Sequence, residues 1–77
     1  MNPRDRAYQK AYSAFRERLL KARKDAGMTQ GEVNERIGKS HSFISKCELG
    51  ERRVDVVELQ MLAKIYDKSI SFFLTVD

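Results

Sequence analysis

The sequence of 77 residues is long enough for one domain, and its formal net charge is +4. A single cysteine allows no internal disulfide, which fits a reducing compartment. No apolar run approaches the ~20 residues that span a bilayer, and the polar N-terminus lacks the apolar core of a secretion signal. We therefore expect a small cytoplasmic protein without a membrane partner, for which pairing with a second copy would supplement a small core.

The positive charge is concentrated toward the N-terminus. Residues 1–24 contain eight Lys or Arg and two Asp or Glu, whereas residues 25–77 contain seven and nine. A basic segment beside a nearly balanced body is compatible with a polyanionic partner, but charge runs are more often solvated helix faces. Charge alone therefore favours the simpler interpretation of exposed helix surface.

The first predicted element is a long amphipathic helix. Apolar residues recur at three- and four-residue steps from Tyr8 to Ala22, which predicts a helix from about residue 5 to Ala26. Gly27 is expected to end it, since glycine is common just past helix C-termini. The basic residues then lie on the other sides of the helix.

Two short helices follow. Thr29 and Glu32 have the spacing of a capping box, so a second helix should begin at Thr29 and end at Gly38. Ser40 is expected to start the third helix, which Gly50 ends. Phe43, Ile44 and Cys47 should form the buried side of this third helix, as Val33 and Ile37 do for the second.

Two more helices complete the prediction. Asp55 is expected to cap the fourth helix and Ser69 a short fifth helix that runs from Ile70 to Leu74. No period-two pattern suggests a strand, so the fold class is all-α with five helices. The expected core residues of the fourth helix are Val56, Leu59, Leu62, Ala63 and Tyr66.

The stretch from Thr29 to Glu48 carries the functional information. Gly38 lies where a sharp turn needs a positive φ, which glycine adopts without steric cost. The helix after this turn could then stand clear of the body and enter a DNA major groove, roughly 12 Å wide. Its outer face carries only residues that can form hydrogen bonds: Ser40, His41, Ser42, Ser45 and Lys46.

On these residues the chain resembles the phage-repressor and Cro-like helix-turn-helix family of transcription regulators. The resemblance covers about residues 15–74, with GMTQ at 27–30 and SFISKCELGERR at 42–53 as its most specific parts. It implies a lambda-repressor-like DNA-binding domain of five helices, here with an extended first helix. Residues 1–14 are then a basic N-terminal extension of helix one, and residues 15–77 are the domain, with the motif at 29–48.

The resemblance also implies roles for single residues. His41, Ser42 and Lys46 stand at positions that contact base edges in such repressors, and Lys46 suits guanine O6 or N7. An inert surface residue is the simpler alternative for His41. Arg23 and Glu48 are expected to form an ion pair, either beside a phosphate or as a purely structural bridge. Six residues are expected to contact the DNA backbone: Gln30, Ser40, Ser45, Arg52, Arg53 and Arg23.

Three residues depart from the family pattern. Asn34 replaces the usual alanine where the two motif helices approach, Lys39 replaces an apolar residue after the turn glycine, and Cys47 replaces a larger aliphatic residue. A buried amide without partners costs about 1–3 kcal/mol. We therefore expect the Asn34 amide either to point outward or to bond the turn backbone.

A second apolar face on the fourth helix predicts self-association. Residues four apart on this helix are apolar where the family more often has polar side chains, and two phenylalanines of the fifth helix extend the set. A two-fold homodimer would place two recognition helices roughly 34–36 Å apart on a palindromic site. The alternative is that the extended first helix folds back and covers this face. The predicted dimer interface consists of Val57, Met61, Ile65, Phe72 and Phe73.

The function predicted from the sequence is sequence-specific transcription regulation. We expect a repressor or autoregulator that occupies palindromic double-stranded DNA as a homodimer. The alternative is a protein-interaction module, antitoxin-like or an adaptor, with weak or no DNA binding. We expect no enzyme activity, since the serines lack acid–base partners, and no metal, since His41 and Cys47 are too few for a zinc site. No cofactor or small-molecule ligand is expected.

Overall fold

The computed structural model describes residues 3–74. Residues 1–2 of the expected N-terminal extension and residues 75–77 of the expected domain lie outside the described residues. Within this range the chain forms five helices and no strand. The all-α prediction is therefore confirmed. The helices are α1 (Pro3–Asp25), α2 (Gln30–Ile37), α3 (Phe43–Leu49), α4 (Val56–Tyr66) and α5 (Ile70–Phe73).

Helix α1 runs along the whole molecule. At 1.5 Å per residue its 23 residues extend about 35 Å, close to the longest dimension of 38 Å. Only its C-terminal half enters the core, through Leu19 and Ala22, whereas residues 3–11 are exposed. The first turns of α1 therefore project beyond the body of the domain.

Capping boxes fix the starts of α2 and α4. The Thr29 hydroxyl accepts from the Glu32 amide at 3.1 Å, and the Glu32 carboxylate accepts from the Thr29 amide at 2.9 Å. Asp55 and Glu58 make the same reciprocal pair at 2.7 and 3.0 Å. Each box satisfies two amides that a helix start would otherwise leave free.

The start of α3 differs from the sequence prediction. The helix begins at Phe43 with Ser42 as its cap, and residues 39–42 form the turn, whereas we expected Ser40 to begin it. The Ser42 side chain makes no capping bond, and its φ and ψ of −104° and 2° are not the extended values of a usual cap. A residue from α2 takes over that function, as described below.

The core lies where the five helices meet. Val56, which we expected to be buried, is 69% exposed, because it lies at the edge of an apolar groove between α1 and α4. Glu58 is buried instead. The twelve buried apolar residues are Leu19, Ala22, Val33, Ile37, Phe43, Ile44, Cys47, Leu59, Leu62, Ala63, Tyr66 and Phe73.

The expected dimer face is only partly as predicted. Phe73 has no exposed surface and packs in the monomer core, so it cannot contact a partner directly. Phe72 is half-buried between the cations of Arg18 and Lys68, 5.3 and 4.5 Å from its ring centre. Val57 and Met61 are 58% and 42% exposed, so α1 does not cover them as the alternative required.

Candidate nucleic-acid interface

The two motif helices are joined by a turn at Gly38. This residue has φ of +75°, and its amide donates to the carbonyls of Asn34 and Glu35, which closes the end of α2. An L side chain at this φ would be strained, whereas glycine is not. The conformation is the one that the sequence predicted for this turn.

Asn34 locks α3 onto α2. Its side chain is buried, its Nδ2 donates to the His41 carbonyl at 2.8 Å, and its Oδ1 accepts from the Ile44 amide at 2.9 Å. Ile44 is the second residue of α3, so Asn34 serves as the N-terminal cap of that helix from a different element. Of the two expected orientations of the Asn34 amide, the structure shows the one that bonds the backbone of the turn. Both polar ends of the amide are thereby satisfied, and the angle between the helices is held by side-chain hydrogen bonds.

The outer face of α3 is polar and open. Ser40, His41 and Lys46 are exposed and Ser42 and Ser45 are half-buried. The Ser45 hydroxyl donates to the Ser42 carbonyl at 3.1 Å. On the opposite side, Phe43, Ile44 and Cys47 are buried, and burial raises the pKa of the Cys47 thiol. Helix α3 therefore presents hydrogen-bonding groups outward from a rigid apolar base.

Leu49 belongs to the same outer face and was missed by the sequence analysis. It follows Ser42, Ser45 and Lys46 at helical spacing and is 66% exposed. The spacing alone would have placed it there. An apolar side chain at this position suits contact with a thymine methyl group.

An ion pair between α1 and α3 stands beside the motif. Arg23 Nε lies 2.7 Å from Glu48 Oε2 and Arg23 Nη2 lies 3.1 Å from Oε1, which is a two-point contact. Arg23 also donates to the Met28 carbonyl, and Gln30 Nε2 donates to Glu48 Oε1 at 2.9 Å. The hydrogen bonds to Glu48 raise the pKa of Arg23. The bridge therefore joins α1, the start of α2 and α3, which is the geometry expected for a structural bridge.

Arg52 is partly exposed and is paired with the buried Glu58. Both of its Nη atoms donate to the Glu58 carboxylate at 2.8 Å, and its guanidinium lies 4.7 Å from the ring centre of Phe43. Lys39 Nζ lies 3.2 Å from Oε2 of the same carboxylate. The lysine that replaces the family's usual apolar residue therefore has an acidic partner. The Arg52 hydrogen bonds hold the pKa of Glu58 at about 2, below its ordinary value of 4.5. Sequence analysis missed Glu58, because its partners are distributed over the loops on either side of α3.

Arg53 remains exposed and is held by the N-terminal half of α1. Its guanidinium lies over the rings of Tyr8 and Tyr12, at 4.7 and 5.1 Å from their centres, and it donates to the Tyr8 hydroxyl. The Tyr12 hydroxyl accepts from the Val54 amide at 3.2 Å. The loop after α3 is therefore attached to the projecting part of α1.

Metal sites and membrane spans were considered in the part of the chain that the structure describes. Residues 3–74 contain no group of three or more His, Cys, Asp or Glu placed to hold a metal ion. None of the helices in this range is long and apolar enough to cross a membrane.

Known proteins share this arrangement. A family model described as helix-turn-helix matches residues 19–73, which is most of the chain and includes both motif helices. The chain belongs to this helix-turn-helix family. A solved structure of an XRE-family like protein from Pseudomonas syringae pv. tomato str. DC3000 superposes with a TM-score of 0.87 at 34% sequence identity, covering 95% of this chain and 89% of that one. No curated protein is similar enough in sequence to count as a relative.

Membership gives the coarse function and confirms the resemblance found in the sequence. At the level of the family, this helix-turn-helix protein is a DNA-binding transcription regulator. The described helices agree with that assignment, since the segment with the polar outer face is the second helix of the motif.

Proposed function

We propose that this helix-turn-helix protein is a sequence-specific repressor or autoregulator that occupies its operator as a homodimer. The observation that supports the proposal is the outer face of α3, which is polar and open while Asn34 and the Arg23–Glu48 bridge hold the helix from behind. A rigid helix with such a face can enter the major groove without first rearranging.

Three residues of this face contact base edges. His41 and Lys46 are exposed donors, and Ser42 lies between them in the turn that opens α3. Lys46 donates to guanine O6 or N7, and His41 donates to an acceptor on a purine. Ser40, Ser45 and Gln30 border this set and contact the sugar–phosphate backbone.

The arginines have unequal roles in the proposed complex. Arg53 is exposed and contacts a phosphate, whereas Arg52 supports the loop through its ion pair with Glu58. Arg23 has two roles, an internal ion pair and a phosphate contact, because its bonds to Glu48 and Met28 leave further N–H groups for a phosphate. Phosphate contacts of this kind make the affinity fall steeply with salt.

Replacing Lys46 with alanine tests the mode of recognition. Duplexes that bind the wild type are first selected from a random pool, and a palindrome among them is expected. Lys46→Ala should then lose about 1–3 kcal/mol of binding to the selected duplex and relax the preference at one base position, because a base contact is lost. Lys24→Ala, on the exposed surface of α1, removes the same charge and should change the base preference at no position. A wild type that binds no duplex at low salt would refute the proposal and favour the protein-interaction alternative.

The homodimer is tested separately. Val57, Met61 and the half-buried Ile65 form one exposed apolar face of α4, and we propose that two copies meet there. Met61→Glu should convert a dimer into a monomer in sedimentation equilibrium at micromolar concentration, since a carboxylate would be buried without a partner. Val56→Glu places the same charge in the apolar groove on another side of α4 and should leave the dimer intact. A wild type that sediments as a monomer, or dissociation by Val56→Glu alone, would contradict this interface.

A further inference from the structure

A polar cleft lies between α1 and the C-terminal end of α3. It has a volume of about 240 Å³, and its lining includes Gln9, Ser13 and Arg16 from α1 together with Gly50 and Arg53. Two of these residues are cations, and none of the described residues that line the cleft is acidic. A small concave site whose lining carries two positive charges and no carboxylate is suited to an anion.

Arg16 is fixed on one wall of the cleft. Its Nη1 donates to the Glu48 carbonyl at 3.3 Å, and its Nη2 lies 3.5 Å from the Ser13 hydroxyl. The side chain lies flat against Gly50, where a Cβ atom would come within 3.1 Å of it. Because a guanidinium has five N–H donors, these contacts position Arg16 and still leave donors for a ligand.

Arg53 is fixed on the other wall. Its guanidinium lies 4.7 and 5.1 Å from the ring centres of Tyr8 and Tyr12, which stack on each other, and the residue remains exposed. Aromatic contacts of this kind hold an arginine in place without neutralising its charge. Ser13 and Gln9 add a hydroxyl and an amide, which are common partners of phosphate oxygens.

The cleft begins where the outer face of α3 ends. Leu49 is part of both, since it continues the stripe of Ser42, Ser45 and Lys46 and also lines the cleft. When that stripe enters a major groove, the cleft meets the backbone at the border of the groove. We propose, building on the function proposed above, that the cleft holds one backbone phosphate of the bound duplex. The projecting half of α1, whose role the sequence left open, then extends the DNA contact surface beyond the motif.

Gln9→Glu tests this site with little risk to the fold. Gln9 is exposed, and a carboxylate there would pair with Arg16 and Arg53 and repel phosphate. We expect weaker binding by about the same factor for every duplex sequence, and a salt dependence of log K that is smaller by about 1. Gln60→Glu, at an exposed position of α4, makes the same chemical change away from the cleft and should leave the salt slope unchanged.

The outcomes separate this inference from the proposed function. A wild type that binds no duplex removes both proposals. A wild type that binds, combined with an unchanged salt slope in Gln9→Glu, removes the phosphate site alone. Titration with inorganic phosphate, followed by the NMR signals of the arginine side chains, identifies the source of the anion. If inorganic phosphate saturates the cleft but Gln9→Glu binds DNA with the same salt dependence as the wild type, the cleft holds a free anion, and its assignment to the DNA backbone is overturned.

Discussion

Glu58→Gln is expected to lower the free energy of unfolding by about 2 kcal/mol, because the buried carboxylate loses its charged hydrogen bonds to Arg52 and Lys39, which are themselves partly exposed to solvent. The Glu58 carboxylate binds Arg52 at two points, approaches Lys39 and accepts from the Asp55 amide. For a domain of this size the loss corresponds to a decrease in Tm of about 8–16 °C. Thermal unfolding followed by circular dichroism measures it.

The same substitution has a defined pH dependence. The pKa of Glu58 is about 2 in the folded protein against an ordinary value of 4.5, so its ionised form favours folding. This contribution is complete above about pH 4.5 and is lost as the pH falls toward 2. The stability difference between the wild type and Glu58→Gln should therefore shrink below pH 4.5.

The control for Glu58 lies seven residues earlier. Glu51→Gln makes the same change at an exposed position of the loop and should alter stability by less than about 0.5 kcal/mol at neutral pH. Equal effects of the two substitutions, or a Glu58 effect that does not change between about pH 7 and pH 3, would contradict the assigned role of Glu58.

Asn34→Asp should also destabilise the protein, by about 3 kcal/mol. A carboxylate could still accept from the Ile44 amide, but its second oxygen would face the His41 carbonyl at the position where the amide now donates. The buried charge and the lost donor both oppose folding. Urea denaturation at neutral pH gives the magnitude, and Asn34→Ala, which removes both hydrogen bonds without adding charge, should cost about 1–3 kcal/mol.

Ser42→Ala is the matched control, since Ser42 occupies the cap position in the chain. Its side chain makes no capping bond, so its removal should change stability by less than about 0.5 kcal/mol. A larger loss for Ser42→Ala than for Asn34→Ala would show that α3 is capped locally and that the contact from α2 is secondary.

Local features of the chain were sufficient to predict much of the fold. The capping box of Thr29 and Glu32 and the positive φ of Gly38 depend on residues close in sequence, so their spacing is visible in the chain itself. The same holds for the inward side of α3, where Phe43, Ile44 and Cys47 follow helical periodicity. Leu49 obeys that rule too and could have been found by it.

Other features were decided by contacts between elements. Glu58 is buried and Val56 is exposed, the reverse of what periodicity predicts, because Glu58 receives partners from the loops on either side of α3 while Val56 borders an open groove. The start of α3 depends on Asn34, ten residues before the amide that it caps. Phe73 fills the monomer core and is unavailable to the expected dimer face.

The sequence by itself determined that five helices form and which face of α3 is polar, because periodicity and capping act within a few residues. Only the tertiary structure decided which arginine is paired with a carboxylate. Arg52 and Arg53 are adjacent in the chain, but Arg52 is paired with the buried Glu58 and Arg53 lies exposed on the rings of Tyr8 and Tyr12. Their partners come from different helices, so two identical side chains that are adjacent in sequence have different surroundings.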